Sequence, residues 1–94
     1  MRTFLFDCQG TLVNNPFVKE EDMEKVLPLL KAAGHRVIVW SASVMLIPNN
    51  FAALADECWS KELEDMSRID ESFIVFDDDV EFLRSLARRG AKIV

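Results

Sequence analysis

The sequence predicts an α/β domain, a parallel sheet of about four strands held in three layers with helices on both faces. Short apolar runs alternate with amphipathic helical patterns along all 94 residues. The runs are apolar at successive positions, as strands covered on both sides must be, and the connections between them are too long for hairpins. Right-handed crossovers through the intervening helices then set the strands parallel.

The first strand is "RTFLF" (2–6), which stops at Asp7 and runs into a turn at Gly10 and Thr11. "KEEDMEKVLPLLKAAG" (19–34) carries Met23, Val26, Leu27 and Leu30 at helical spacing, with acids in its first turn and Gly34 placed to end it. Pro28 lies inside this pattern and should bend or adjust the helix. "RVIVW" (36–40) is a second, β-branched strand ending at Ser41. Asn49 or Asn50 can cap a helix that turns Phe51, Leu54, Ala55 and Cys58 inward. Residues 60–72 are ambiguous. "SFIVF" (72–76) is a third strand, and "DDDVEFLRSLARRG" (77–90) reads as a helix with Val80, Leu83, Leu86 and Ala87 inward, Arg88 and Arg89 in its last turn and Gly90 as its stop. "AKIV" (91–94) closes as a short fourth strand.

A chain of this length supports one domain, residues 1–94, with a single thin core. Half the residues are hydrophobic and 29% are charged, enough apolar surface to offset chain entropy. Sixteen acids against 11 bases give a net charge of -5, which disfavours nucleic acid and anionic membranes as partners. Cys8 and Cys58 sit in apolar surroundings without C-x-x-C spacing and read as buried thiols in a reducing compartment. No apolar run approaches the roughly 20 residues that span a bilayer, and "MRTFLFDCQG" lacks the form of a signal peptide, so a cytoplasmic location is expected.

Ligands of parallel α/β sheets collect at the carboxyl ends of the strands. There this chain has Asp7, Ser41 and the run Asp77 to Asp79. Each has a purely structural reading: Asp7 can start an Asx-turn with Gly10 supplying positive φ, Ser41 can bond to backbone, and Asp78 with Glu81 can form a capping box. Brought to one crevice, however, carboxylates repel one another, and a hard cation such as Mg2+ between them relieves that repulsion. A divalent cation beside an aspartate is also a working arrangement for phosphoryl chemistry, because it neutralises phosphate oxygens while the carboxylate attacks phosphorus.

These residues carry a family resemblance. "FLFDCQGTLV" resembles motif I of the haloacid dehalogenase (HAD) superfamily, a strand followed by D-x-D-G-T-L/V. "LLKAAGHRVIVWSAS" resembles its motif II, and "FIVFDDD" followed by "LARRGAKIV" resembles its motif IV with the succeeding helix, glycine and strand. The three occur in the family's order over nearly the whole chain. The resemblance implies a Rossmann-like HAD core with Asp7 as nucleophile and metal ligand, and the backbone carbonyl of Gln9 also on Mg2+. It further implies that Ser41 holds the phosphoryl group and that Asp77 and Asp78 complete the metal site. Counting back from Gly90 favours Asp78 as the direct ligand and counting forward from the strand favours Asp77; both stay open. Asp79 reads as a helix cap or a solvent-facing acid. Lys61 is the candidate for the motif III base, although "SKELEDM" also fits a solvated helix face.

Gln9 stands where the family's phosphatases carry a second aspartate that protonates the leaving oxygen and then helps to activate water. An amide holds a hydrogen bond but does not shuttle a proton. Losing such an acid and base costs about 10²- to 10⁴-fold in rate, least for substrates with good leaving groups. The implied activity is a slow, Mg2+-dependent phosphatase working through an aspartyl phosphate; the alternative is a catalytically inactive metal- or partner-binding module. The stretches after Thr11 and between Ser41 and Ser72 are too short for an added domain, so the chain resembles the capless type. An open site implies a phosphorylated substrate large enough to cover it, macromolecular in kind, or a second subunit in a homodimer. His35 reads as a turn imidazole with no second histidine to pair with, and Trp40 reads as core.

Overall fold

The computed structural model describes residues 2–61, 68–79, 83–84 and 92–93. Among these residues the strands are β1 (Thr3–Asp7), β2 (Arg36–Ser41), β3 (Glu57–Ser60), β4 (Phe73–Phe76) and β5 (Lys92–Ile93), the α-helices whose bounds are described are α1 (Glu20–Ala32) and α2 (Asn49–Leu54), and Val44–Leu46 forms a 3-10 turn. The five strands form one sheet in the order β3-β2-β1-β4-β5, and every neighbouring pair is parallel.

Strand alternation divides the core into two. Phe6, Val37 and Val39 point to one face, where they meet Leu27 of α1 and Phe51 of α2. Leu5, Ile38, Trp40, Trp59 and Val75 point to the other, where Ile69 and Leu83 pack on them. Leu83 is in helical conformation, its N–H donating to the Asp79 carbonyl at 3.0 Å. The remaining inward positions expected of the last helix (Val80, Leu86, Ala87), its basic end and Glu81 lie outside the described residues.

α1 ends as its sequence requires. Gly34 has φ +88, its N–H donates to the Lys31 carbonyl at 3.0 Å, and the His35 N–H donates to the Leu30 carbonyl at 3.1 Å, which together make a Schellman cap. Pro28 is accommodated within the helix, and Val26 is 36% exposed rather than inward. His35 accepts the Arg2 N–H on Nδ1 at 3.1 Å and meets Phe4 edge-on, which secures the start of β1.

The main departure from expectation is β3. Residues 51–58 were expected to continue one helix with Cys58 inward; instead α2 stops at Leu54, Ala55 is extended with ψ 150, and Cys58 lies in a strand opposite Val39. Asp56 explains the switch. Its N–H donates to the Val37 carbonyl at 2.8 Å and its carboxylate accepts the Val37 N–H at 2.8 Å, so both backbone groups of Val37 on this edge hold the chain extended along β2. Pro48, not Asn49 or Asn50, occupies the N-cap position of α2. Among the described residues, no helix is long and apolar enough to cross a membrane.

Candidate active site

The strand order reverses beside β1: the chain moves outward through β2 and β3, then returns to place β4 on the other side of β1. Such a reversal opens a crevice at the carboxyl ends of the two strands that flank it. Phe6 is the register partner of Phe76, so Asp7 and Asp77 are the next residues on adjacent strands. Side-chain oxygens of Asp7, Asp77 and Asp78 all lie within 4.8 Å of one another.

Three local devices hold this cluster. Lys61, the residue after β3, donates its backbone N–H to the Ser41 carbonyl at 2.8 Å and reaches back across the sheet edge. Its Nζ donates to Asp7 Oδ1 at 3.0 Å and to Asp77 Oδ2 at 3.1 Å, and lies 5.3 Å from the centre of the Trp40 ring. Asp77 Oδ1 accepts the Asp79 N–H at 3.0 Å, which fixes the second oxygen of that carboxylate. Asp78 leans on Gly10: a Cβ built at Gly10 would fall 2.2 Å from Asp78 Oδ2, and the φ of Gly10 is +83. Glycine is needed there for both its conformation and its missing side chain.

Crowding three carboxylates has an electrostatic cost. Asp7 is only 5% exposed, and burial pushes its carboxyl up to about 7; Lys61 opposes this, while Asp77 and Asp78 add to it. Burial alone would lower the Lys61 ammonium, but its bonds to Asp7 and Asp77 outweigh that and raise it. Burial, followed by the charge of Asp7, pushes the Cys8 thiol up to about 11 and makes it a poor nucleophile.

The structure thus brings together Asp7, Asp77, Asp78 and Lys61. Ser41 is buried at the same edge, one position beyond Trp40, the register partner of Asp7, and touches the cluster through its carbonyl bond to Lys61. The Gln9 side chain is exposed, and its Oε1 accepts from Asn14 Nδ2 at 2.8 Å. Two features went unread in the sequence. Trp40 is core, yet it also seats Lys61; an aromatic directly before Ser41 is too common in strands to signal this. A cavity of about 450 Å3 opens beside the cluster, walled by Asn14, Pro16, Phe17, Phe76, Asp77 and Asp78. "NNPF" signals a turn, and Asn14 does adopt φ 56, but a turn does not reveal the hollow beside it. No protein-family model, curated protein or solved structure matches the chain.

Proposed function

We propose that the chain is a minimal, Mg2+-dependent phosphohydrolase of the HAD type, acting through an aspartyl phosphate on Asp7 and slowed on ordinary alkyl esters by Gln9. The observation that carries this reading is the joint placement of Asp7 and the Asp77–Asp78 pair at the switch point, bridged by Lys61.

The donor set suits a hard cation, since it consists of carboxylate oxygens converging from two strands. Asp77 already gives one oxygen to Lys61 and the other to the Asp79 N–H, so Asp7 and Asp78 are the carboxylates that would hold Mg2+, to which the HAD resemblance adds the Gln9 carbonyl. Bound there, the ion supplies charge neutralisation for the phosphate oxygens. Asp7 attacks phosphorus, a bond forms between its carboxylate oxygen and phosphorus, and the bond to the leaving oxygen breaks. Lys61 offsets negative charge at the nucleophile, and Asp77 keeps the ammonium in place. Ser41, next after the register partner of Asp7, would hold a phosphoryl oxygen. Water then cleaves the acyl phosphate, which restores Asp7 and releases inorganic phosphate.

The test is phosphate release from acetyl phosphate and 4-nitrophenyl phosphate with Mg2+. Asp7→Asn should abolish it, and Gln9→Asp should raise turnover of alkyl phosphates by about 10²-fold or more. Equal activity in all three proteins would discard the reading. The second reading, a non-catalytic metal- or partner-binding module, draws on the Gln9–Asn14 bond, which ties the amide to a neighbouring side chain. It requires Mg2+ to raise the Tm with no turnover on any phosphate ester.

A further inference from the structure

The cavity beside the acidic cluster has a chemical character of its own. Phe76 forms part of its wall and is backed by Phe6, whose ring lies 4.6 Å away and nearly parallel. Phe17 forms another part and is 92% exposed, an unusual position for a large apolar ring. It is also held on a braced loop: Asn15 Oδ1 accepts the Phe17 N–H at 2.9 Å, while Asn15 Nδ2 donates to the Thr11 carbonyl at 3.1 Å. The bracing fixes the backbone that carries Phe17, so an aromatic side chain stands at a set place beside the hollow and offers a flat ring a face to pack on.

Gln9 points to the same chemistry by a separate route. The Asn14 bond engages its Oε1, so the end of the amide left to act as a donor is Nε2. Such a group can hydrogen-bond an oxyanion but cannot give it a proton. The leaving oxygen must therefore be able to depart as an anion, which an aryl oxygen does far more readily than an alkyl oxygen. Acyl phosphates meet this demand as well, yet they have no use for Phe17 and Phe76.

Resting on the phosphohydrolase reading, we infer that the substrate is an aryl phosphate, a phosphorylated phenol whose ring lies against Phe17 and Phe76 in the cavity lined by Asn14. The Asp7 oxygen–phosphorus bond forms as the phosphorus–aryl oxygen bond breaks. The electron pair leaves with the phenolate, which is stabilised by hydrogen bonding and takes its proton from water. A cavity of about 450 Å3 is larger than one phenyl ring requires, so a phosphotyrosyl peptide and a small aryl phosphate share the recognised chemistry.

The experiment measures kcat/KM of the full chain with Mg2+ on ethyl phosphate, phenyl phosphate, 4-nitrophenyl phosphate, a phosphotyrosyl peptide and acetyl phosphate, for the native protein, Phe17→Ala and Asp7→Asn. Expected are a steep fall in kcat/KM as the leaving-group pKa rises and a roughly tenfold drop in the phenyl-to-acetyl phosphate ratio in Phe17→Ala. A higher kcat/KM on the peptide than on phenyl phosphate assigns the macromolecular source, and the reverse assigns the small one. If ethyl phosphate is hydrolysed as fast as phenyl phosphate, or the ratio is unchanged in Phe17→Ala, the aryl assignment is overturned. The phosphohydrolase reading then still stands, provided that acetyl phosphate cleavage needs Asp7. Absence of any Asp7-dependent turnover overturns both.

Discussion

Asp7 and Gly10 carry the tightest constraints at the residue scale. Gly10→Ala must place a methyl group on Asp78 Oδ2 from a left-handed backbone, so either the loop or Asp78 shifts. The expected cost is about 1–3 kcal/mol of stability, measured by denaturant unfolding, together with weaker Mg2+ binding by calorimetry. Asp7 gives a pH prediction whose sign follows from its raised carboxyl. With a folded-state pKa of about 7 against the ordinary aspartate value of 3.8, the folded protein holds a proton that the unfolded chain releases. The Asp7 contribution to stability is therefore full below about pH 4 and is lost as the pH rises through about 7. In metal-free buffer, native Tm should fall relative to that of Asp7→Asn across this window. A constant difference between the two curves would contradict the assignment. The nucleophile candidate was legible because an apolar run that ends on an acid is conspicuous. The role of Trp40 was not, since a buried tryptophan looks the same in sequence whether or not a lysine lies across it.

Among the elements, β3 is where local pattern and tertiary structure disagree. Phe51, Leu54, Ala55 and Cys58 fit a helical period, but four residues from Glu57 to Ser60 are too few to display alternation, and the edge of β2 decides the outcome. Asp56 is the hinge of that decision. Asp56→Ala removes the acceptor of the Val37 N–H and should cost about 1–3 kcal/mol by urea unfolding; a change below about 0.3 kcal/mol would show that β3 docks without it. The same edge positions Lys61, so this substitution should also loosen the ammonium from Asp7. Elements with caps and long periods were readable: α1 ends on Gly34, and β1, β2 and β4 fall on their apolar runs to within a residue. Lys61 was legible only as an alternative to a solvated charge, because its partners are 54 and 16 residues away in sequence.

For the whole molecule, strand order converts separate acids into a site. The order β3-β2-β1-β4-β5 makes the ends of β1 and β4 neighbours, and this adjacency was accessible from the sequence only as the general rule that parallel strands share a functional edge. The cavity was not accessible at all, since its walls come from the loop after β1 and the end of β4, and no single segment marks it. The result is an open edge with Phe17 and Met45 both at least 90% exposed, on the loop after β1 and the turn after β2. Such an edge fits a substrate that brings its own apolar surface to exclude water.

The proposal depends most on the carboxylate of Asp7 reacting with phosphorus while a cation balances its neighbours. Titration with Mg2+ and beryllium fluoride, followed by fluorine NMR, tests this directly. A bound beryllium fluoride signal that requires Mg2+ and is lost in Asp7→Asn is the predicted result. The same signal in Asp7→Asn, or no bound signal in the native protein at saturating Mg2+, would contradict it.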